Sequence, residues 1–408
     1  MHRMPDMQSV ALGIWINIGG RFESFEKKGI SHFFEHLVFK GTKQYTCRKI
    51  KELIEGAGGS LNGFTSEELT CYLVKIPSKY LELALDVLSS MTIEPLLPEP
   101  EVKREKTVIL EEIKMYKDQP QSYVYELLDE LLWPAQPLGA PVIGTVESVS
   151  SMTREDLRSF KQEHYTAQNI VVSAAGLLNY DKFKKIVSKK FLHLKKKKAN
   201  VWEKAEEKQE IAQLKILDKD TEQTHMALGF HSFRRDHPLR HALGLLHVIL
   251  GANMSSRLFN EIREKRGLAY EIGTSVKRFQ DTGVFIVHAG IDNNKVSEAI
   301  KLILQELQKC KNELVSVDEF RRAKEFYLGQ LMLALEDTLE HMLWIGECTA
   351  TLDKTYSLQD ILKEVNKINR QAIREAAKFI FKNKGMNLAL IGPLKDQEGR
   401  IRNQLKIN

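Results

Sequence analysis

The sequence predicts an α+β fold built from two tandem homologous units, each a mostly antiparallel sheet covered by helices. Three observations carry this prediction. In both halves short strand-like runs are separated by long helical hairpins, the pattern of a sheet with helices laid on it. Landmarks also recur at matching separation. The first half opens with Ala11-Leu12-Gly13-Ile14 and nears its end at Asn169-Ile170-Val171-Val172; the second opens with Ala227-Leu228-Gly229-Phe230 and nears its end at Asn387-Leu388-Ala389-Leu390. Leu12 to Asn169 spans 157 residues and Leu228 to Asn387 spans 159, as one unit of ~200 residues used twice would give. Finally, Lys195 to Lys198 lead into a Glu/Lys-rich stretch with almost no apolar periodicity, which reads as a solvated linker. The expected division is therefore 1–195, a charged linker at 196–212, and 213–408.

In chain order, the first half predicts strands at 9–17, 69–76 and 169–175, and helices at 29–40, 47–56, 78–91, 101–117, 121–132 and 153–163. The run Ser9 to Asn17 reads as a strand at once, so little precedes the first element. Gly56, Gly58 and Gly59 read as a turn before an edge strand; no Lys-Ser/Thr follows them, which argues against a phosphate loop. Pro95, Pro98 and Pro100 stop one helix and start the next. The second half predicts strands at 214–218, 225–232, 271–277, 283–290 and 386–391, with helices at 239–251, 256–265, 294–310, 317–335, 338–351, 357–364 and 369–381.

Composition narrows the class of function. With 43% hydrophobic and 28% charged residues among 408, the chain has the balance of a folded globular protein. A formal charge of +6, spread over this length, does not point to nucleic acid. No apolar stretch approaches the roughly 18 residues of a membrane helix, so neither nucleic acid nor membrane is an expected partner. Cys47, Cys71, Cys310 and Cys348 lie far apart without a Cys-x-x-Cys pair, which excludes a disulfide framework or a thiolate zinc module and points to a reducing compartment. The first twenty residues lack the pattern of a secretory signal. A bacterial cytoplasm is the expected location, with the mitochondrial matrix as the second choice.

The informative segment is Gly29 to Thr42, which contains His32-x-x-Glu35-His36. On a helix His36 lies about 40° from His32 and Glu35 about 60° to its other side, while Phe33, Phe34, Leu37 and Val38 face away. Two imidazoles can therefore converge on one ion with a carboxylate beside them, on a helix anchored by its apolar back. Two protein ligands hold zinc poorly, so a third is needed. The helix 101–117 offers one. Its apolar stripe is Val102, Ile109, Ile113 and Tyr116; Glu111 lies opposite the stripe, and Glu112 on its border with Glu105 two turns below. Glu112 is the expected third ligand, and Glu105 a carboxylate that orients a histidine. His241 and His247, six apart, do not share a helix face and read as structural.

These residues resemble the pitrilysin or M16 family of zinc peptidases, which carry the inverted His-x-x-Glu-His motif. Glu112 follows the motif after 76 residues in a Val-Ile-Leu-x-Glu context. Asn62 to Glu67 with Thr70 and Tyr72 are similar to a second family stretch. Ser256-Arg257-Leu258-Phe259 with Arg263 to Tyr270 are similar to a signature of the family's second half. Chain length places the resemblance with bacterial processing-peptidase-like and mitochondrial processing-peptidase β-like members. The resemblance covers most of the chain and implies a LuxS/MPP-like metallohydrolase fold, one Zn2+ per chain held by His32, His36 and Glu112, and Glu35 as general base with Glu105 supporting. It also implies that Arg263 and Tyr270 contact substrate near the scissile bond, and that Asn62, Gly63 and Phe64 form an edge strand binding substrate by β-addition. Gly63 stands where the family usually has Ala, and most of the family's opening strand is missing. The implied activity is endopeptidase cleavage of unfolded or short, oligopeptide or presequence-like peptides. A non-catalytic or weakly active scaffold subunit of a heterodimeric peptidase is the alternative. The implied assembly is a homodimer, or a heterodimer with a related subunit.

Overall fold

A computed structural model describes residues 1–407. The elements, in chain order, are β1 (His2–Arg3), β2 (Ser9–Ile16), α1 (Ile30–Val38), α2 (Cys47–Glu55), β3 (Ser60–Thr65), β4 (Thr70–Pro77), α3 (Leu81–Ile93), α4 (Glu99–Asp118) and α5 (Pro120–Leu132), then α6 (Val146–Ser151), α7 (Arg154–His164), β5 (Ile170–Gly176) and α8 (Tyr180–Phe191). The second half continues with β6 (Gln213–Asp218), β7 (Gln223–His231), α9 (Arg240–Gly251), β8 (Ala269–Arg278), β9 (Gly283–Asp292), α10 (Val296–Asn312), α11 (Val317–Glu336), α12 (Thr338–Leu352), α13 (Leu358–Lys367), α14 (Arg370–Ile380), β10 (Met386–Gly392) and α15 (Glu398–Gln404).

Two five-stranded sheets result, ordered β1-β5-β2-β4-β3 and β6-β10-β7-β9-β8. Strand for strand the orders correspond, and in both only the first strand runs parallel to its neighbour. The fold class is thus α+β with two equivalent sheets. The opening strand is present, but as a two-residue stub on Ala175 and Gly176, whereas β6 pairs with β10 over six residues. Helices α6, α8 and α15 were not anticipated. Each is short or lysine-rich, and α8 buries only Phe183 fully, so its apolar period is weak.

The compact units are not contiguous in sequence. One comprises Met1–Met115, Ala140–Glu203 and Met332–Tyr356; the other comprises Tyr116–Gly139, Lys204–Leu331 and Ser357–Asn408. This differs from the expected division at 196–212, because each half donates a helix to the other's sheet. α12 lies on β2 and β5, and α5 lies on β7 and β10. Of the strands beneath, β2 and β10 are buried on both faces almost throughout and read as largely apolar runs. The glycines of the repeated landmark admit these helices: a Cβ on Gly13 would sit 2.5 Å from Met342 Sδ, and one on Gly229 2.8 Å from Leu128 Cδ1. Within α12, a Cβ on Gly346 would overlap the Trp15 indole, which is pinned by its Nε1–H donating to Ser173 Oγ at 2.8 Å. Gly346→Ala is therefore expected to cost about 1–3 kcal/mol and to lower the thermal midpoint; an unchanged melt would show that this helix is not tightly seated.

The expected linker has no regular secondary structure but is tethered. The Trp202 ring lies 5.4 Å from the buried Arg21 guanidinium. Gln136 brackets the Glu206 backbone at 2.8 and 3.0 Å, and Gln209 donates to the Met386 carbonyl at 2.8 Å. Low apolar content hid these contacts because they are mostly hydrogen bonds between glutamine side chains and the backbone.

Candidate metal centre

α1 presents the histidines. Its apolar back (Phe33, Phe34, Leu37 and Val38) is fully buried against the sheet, as the sequence pattern requires. α4 is seated by Val102, Ile109 and Ile113, whereas Tyr116, expected on that stripe, is exposed. Glu111 faces solvent and pairs with Lys114 at 2.7 Å; Glu112 turns inward. His32 Nε2 lies 3.9 Å and His36 Nε2 3.6 Å from Glu112 Oε2. One donor atom from each of His32, His36 and Glu112 lies within 4.8 Å of the others, the sole such His/Cys/Asp/Glu group among the described residues. Two imidazole nitrogens and a carboxylate oxygen suit zinc. Ligands at about 2.0–2.2 Å from one ion would sit at nearly these mutual separations, so the residues fit the ion that the sequence implied.

The surroundings tune these donors. Glu105, only 4% exposed, approaches His36 Nδ1 at 3.1 Å, and its other oxygen takes the Lys40 ammonium at 2.6 Å. A carboxylate on Nδ1 fixes the ring and leaves Nε2 directed at Glu112. Burial, reinforced by the neighbouring His36, lowers the His32 pKa to about 3, so its imidazole is neutral near pH 7, the form that binds metal. His32 Nδ1 is buried and has no hydrogen-bond partner among the described residues. Burial raises the Glu112 carboxyl pKa, against the pull of His36.

Glu35 is 9% exposed and accepts a hydrogen bond from Thr65 Oγ1 at 3.2 Å. Burial pushes its pKa above the ordinary carboxylate range; His36 and Thr65 pull it back, and Glu112 adds to the rise. A base whose pKa is raised by burial takes a proton more readily and can return it. Beside Glu35 runs the edge strand β3, which extends the expected Asn62–Phe64 to Ser60–Thr65. A Cβ on Gly63 would lie 3.3 Å from Glu35 Oε1 and 3.1 Å from Phe39 Cζ. The Gly63 N–H donates to Asn62 Oδ1 at 2.8 Å, and Phe64 sets its ring edge-on to Trp15.

Arg263 and Tyr270 belong to the other unit. The predicted helix 256–265 is a π-helix over Phe259–Glu264, marked by the Lys265 N–H donating to the Asn260 carbonyl. Such turns are rare and frequent at functional sites. The turn sets the Arg263 guanidinium 5.1 Å from the Tyr270 ring centre, and that ring is 73% exposed. His241 is committed to Glu364 and Tyr327, and His247 to Thr274. Sequence reasoning missed Lys40 and Thr65. Lys40 carried a local signal, four residues beyond His36 on the same face; Thr65 stands within the family-like stretch Asn62 to Glu67, but nothing in the sequence tied it to Glu35, which only strand pairing brings near.

Known proteins resemble this chain in both of its halves. Residues 1–146 match the insulinase (peptidase family M16) model, and residues 151–327 match the peptidase M16 inactive domain. The chain is 37% identical to the uncharacterized zinc protease YmxG of Bacillus subtilis over 95% of its own length and 94% of the relative's. It is 34% identical to the uncharacterized zinc protease SCO5738 of Streptomyces coelicolor, over 97% and 87%. The crystal structure of a protease from Helicobacter pylori superposes with a TM-score of 0.89 over 96% of both chains at 23% identity, a likeness of fold. Sequence relatives named zinc proteases, matched along nearly their whole length, and family models covering both halves lead to one conclusion: the chain belongs to the M16 peptidase family.

Proposed function

We propose that the protein is a zinc-dependent endopeptidase acting on unfolded or short peptides of oligopeptide or presequence type. The observation that carries this reading is the convergence of His32, His36 and Glu112 beside a buried Glu35 at an edge strand. His32 Nε2, His36 Nε2 and the Glu112 carboxylate would hold one Zn2+ per chain. A bound zinc supplies Lewis acidity toward a water and a peptide carbonyl. Glu35 receives the proton of the attacking water on its carboxylate and delivers it to the leaving amine nitrogen. Thr65 orients that carboxylate, and Glu105 with Lys40 fixes the His36 ring.

An extended peptide would add to β3 along Asn62, Gly63 and Phe64, displacing the Asn62 side chain from the Gly63 N–H. Backbone pairing of this kind favours extended chains and demands little of their sequence. Arg263 and Tyr270 would contact substrate near the scissile bond, contributed within a homodimer or by a related subunit. A non-catalytic role is disfavoured, because both imidazoles, Glu35 and Glu112 are all retained. The half matching the inactive-domain model contains no His-x-x-Glu-His. Four cysteines, with no disulfide among the described residues, suit a cytoplasmic setting. Among the described residues no helix is long and apolar enough to cross a membrane.

Elemental analysis and a peptide-library digest test the proposal. One zinc per chain, with cleavage lost on chelation, is expected; metal-free protein that cleaves nothing after zinc addition overturns it. Mixing Glu35→Gln with Tyr270→Phe protein tests the shared site. Recovery of cleavage is expected if subunits complete one another, and none if each chain works alone.

A further inference from the structure

We infer that Glu23 is a positioning residue for the metal centre, clamping the first turn of the helix that carries both histidines. The assignment rests on the proposed zinc site but concerns a residue well upstream of its ligands. The first N–H groups of a helix have no partner within it. At α1 the N-cap is Gly29, which has no side chain to serve them. Glu23 supplies the missing acceptors from outside the helix. Its Oε2 accepts from the Gly29 N–H and its Oε1 from the Ser31 N–H, both at 2.8 Å. A carboxylate bridging two such groups also complements the positive end of the helix dipole.

The clamp is itself held. Glu23 is 5% exposed, and the Lys28 ammonium, equally buried, stands 3.9 Å from it and donates to the Gly20 carbonyl at 2.5 Å. The Lys28 carbonyl accepts from Ser148 Oγ at 2.7 Å. Gly29 has φ of 90°, and a Cβ there would strike the Ile143 carbonyl oxygen. The start of α1 therefore cannot slide without breaking several buried polar contacts. His32 and His36 lie within the next two turns, so the origin fixed by Glu23 sets where both imidazoles meet Glu112 on a different helix. A buried charge pair adds little to stability when well-packed apolar groups could replace it, whereas a ligand set tolerates little displacement.

The test measures metal affinity apart from activity. Glu23→Gln keeps the shape but turns an amide donor toward one N–H; Glu23→Asp keeps the charge but is too short to bridge both groups. Thr46→Ala, which removes the side-chain cap of the neighbouring α2, is a control for the general cost of losing a cap. Zinc affinity by chelator competition is expected to fall about tenfold in both Glu23 variants. The cobalt(II)-substituted protein should show an altered visible spectrum, and Thr46→Ala should change neither. Three outcomes overturn the assignment: affinity and spectrum unchanged, an equal loss in Thr46→Ala, or Glu23 variants that fail to fold, since that would make the role global. Wild-type protein that binds no zinc would instead defeat the proposed function.

Discussion

Glu35→Gln is expected to reduce peptide turnover by about 10²–10⁴-fold, the usual contribution of a positioned general base, while zinc remains at one equivalent. Gln fills the same space and keeps an acceptor for Thr65 Oγ1, but it cannot carry the proton between water and leaving amine. The same change should stabilise the metal-free fold at neutral pH. Because burial raises the folded-state pKa of Glu35, its contribution to stability is fully present below the unfolded carboxylate value and is lost as pH rises through the folded value. Above the unfolded carboxylate value the buried carboxyl is therefore a net burden that a neutral isostere lacks. Thermal melts of the two apo proteins at pH 4 and pH 7 check the sign: the variant's advantage should appear only at the higher pH. Turnover equal to wild type would remove Glu35 from the mechanism, and an advantage confined to low pH would contradict the burial argument.

Glu112→Ala and His36→Ala are expected to lose zinc altogether under dialysis. Each leaves two protein ligands, too few to hold the ion. The affinity loss should exceed the roughly 10–100-fold that removal of a supporting carboxylate such as Glu105 produces. It should be visible without any substrate. A ligand that binds only the folded state stabilises it by about 4 kcal/mol when present at 1,000 times its dissociation constant. Adding zinc should thus raise the thermal midpoint of wild-type protein and leave that of either variant unmoved. A zinc-dependent shift that survives in Glu112→Ala would place the third ligand elsewhere. Glu111 is the natural comparison: it is exposed and paired with Lys114, so Glu111→Ala should behave as wild type.

Both predictions concern residues that could be named from the chain alone, and the reason is local geometry. His32, Glu35 and His36 lie within one and a half turns, so the 3.6-residue period fixes their common face whatever surrounds them. The same period separates Glu112 from Glu111, one at the border of the apolar stripe and the other opposite it. Alternation and turn residues likewise located most strands, and the matching distance between landmarks disclosed the duplication. Tertiary structure alone decided the rest. That α5 and α12 are exchanged between the sheets, that Thr65 reaches Glu35, and that Glu23 caps the histidine helix all depend on contacts between segments with no shared period. Hydrophobic patterning states which face of an element is buried but not against what. A hydrogen bond from a distant carboxylate to a helix end leaves no mark on either segment's pattern. Sequence therefore determined the chemistry of the donors, and packing determined how firmly they are aimed.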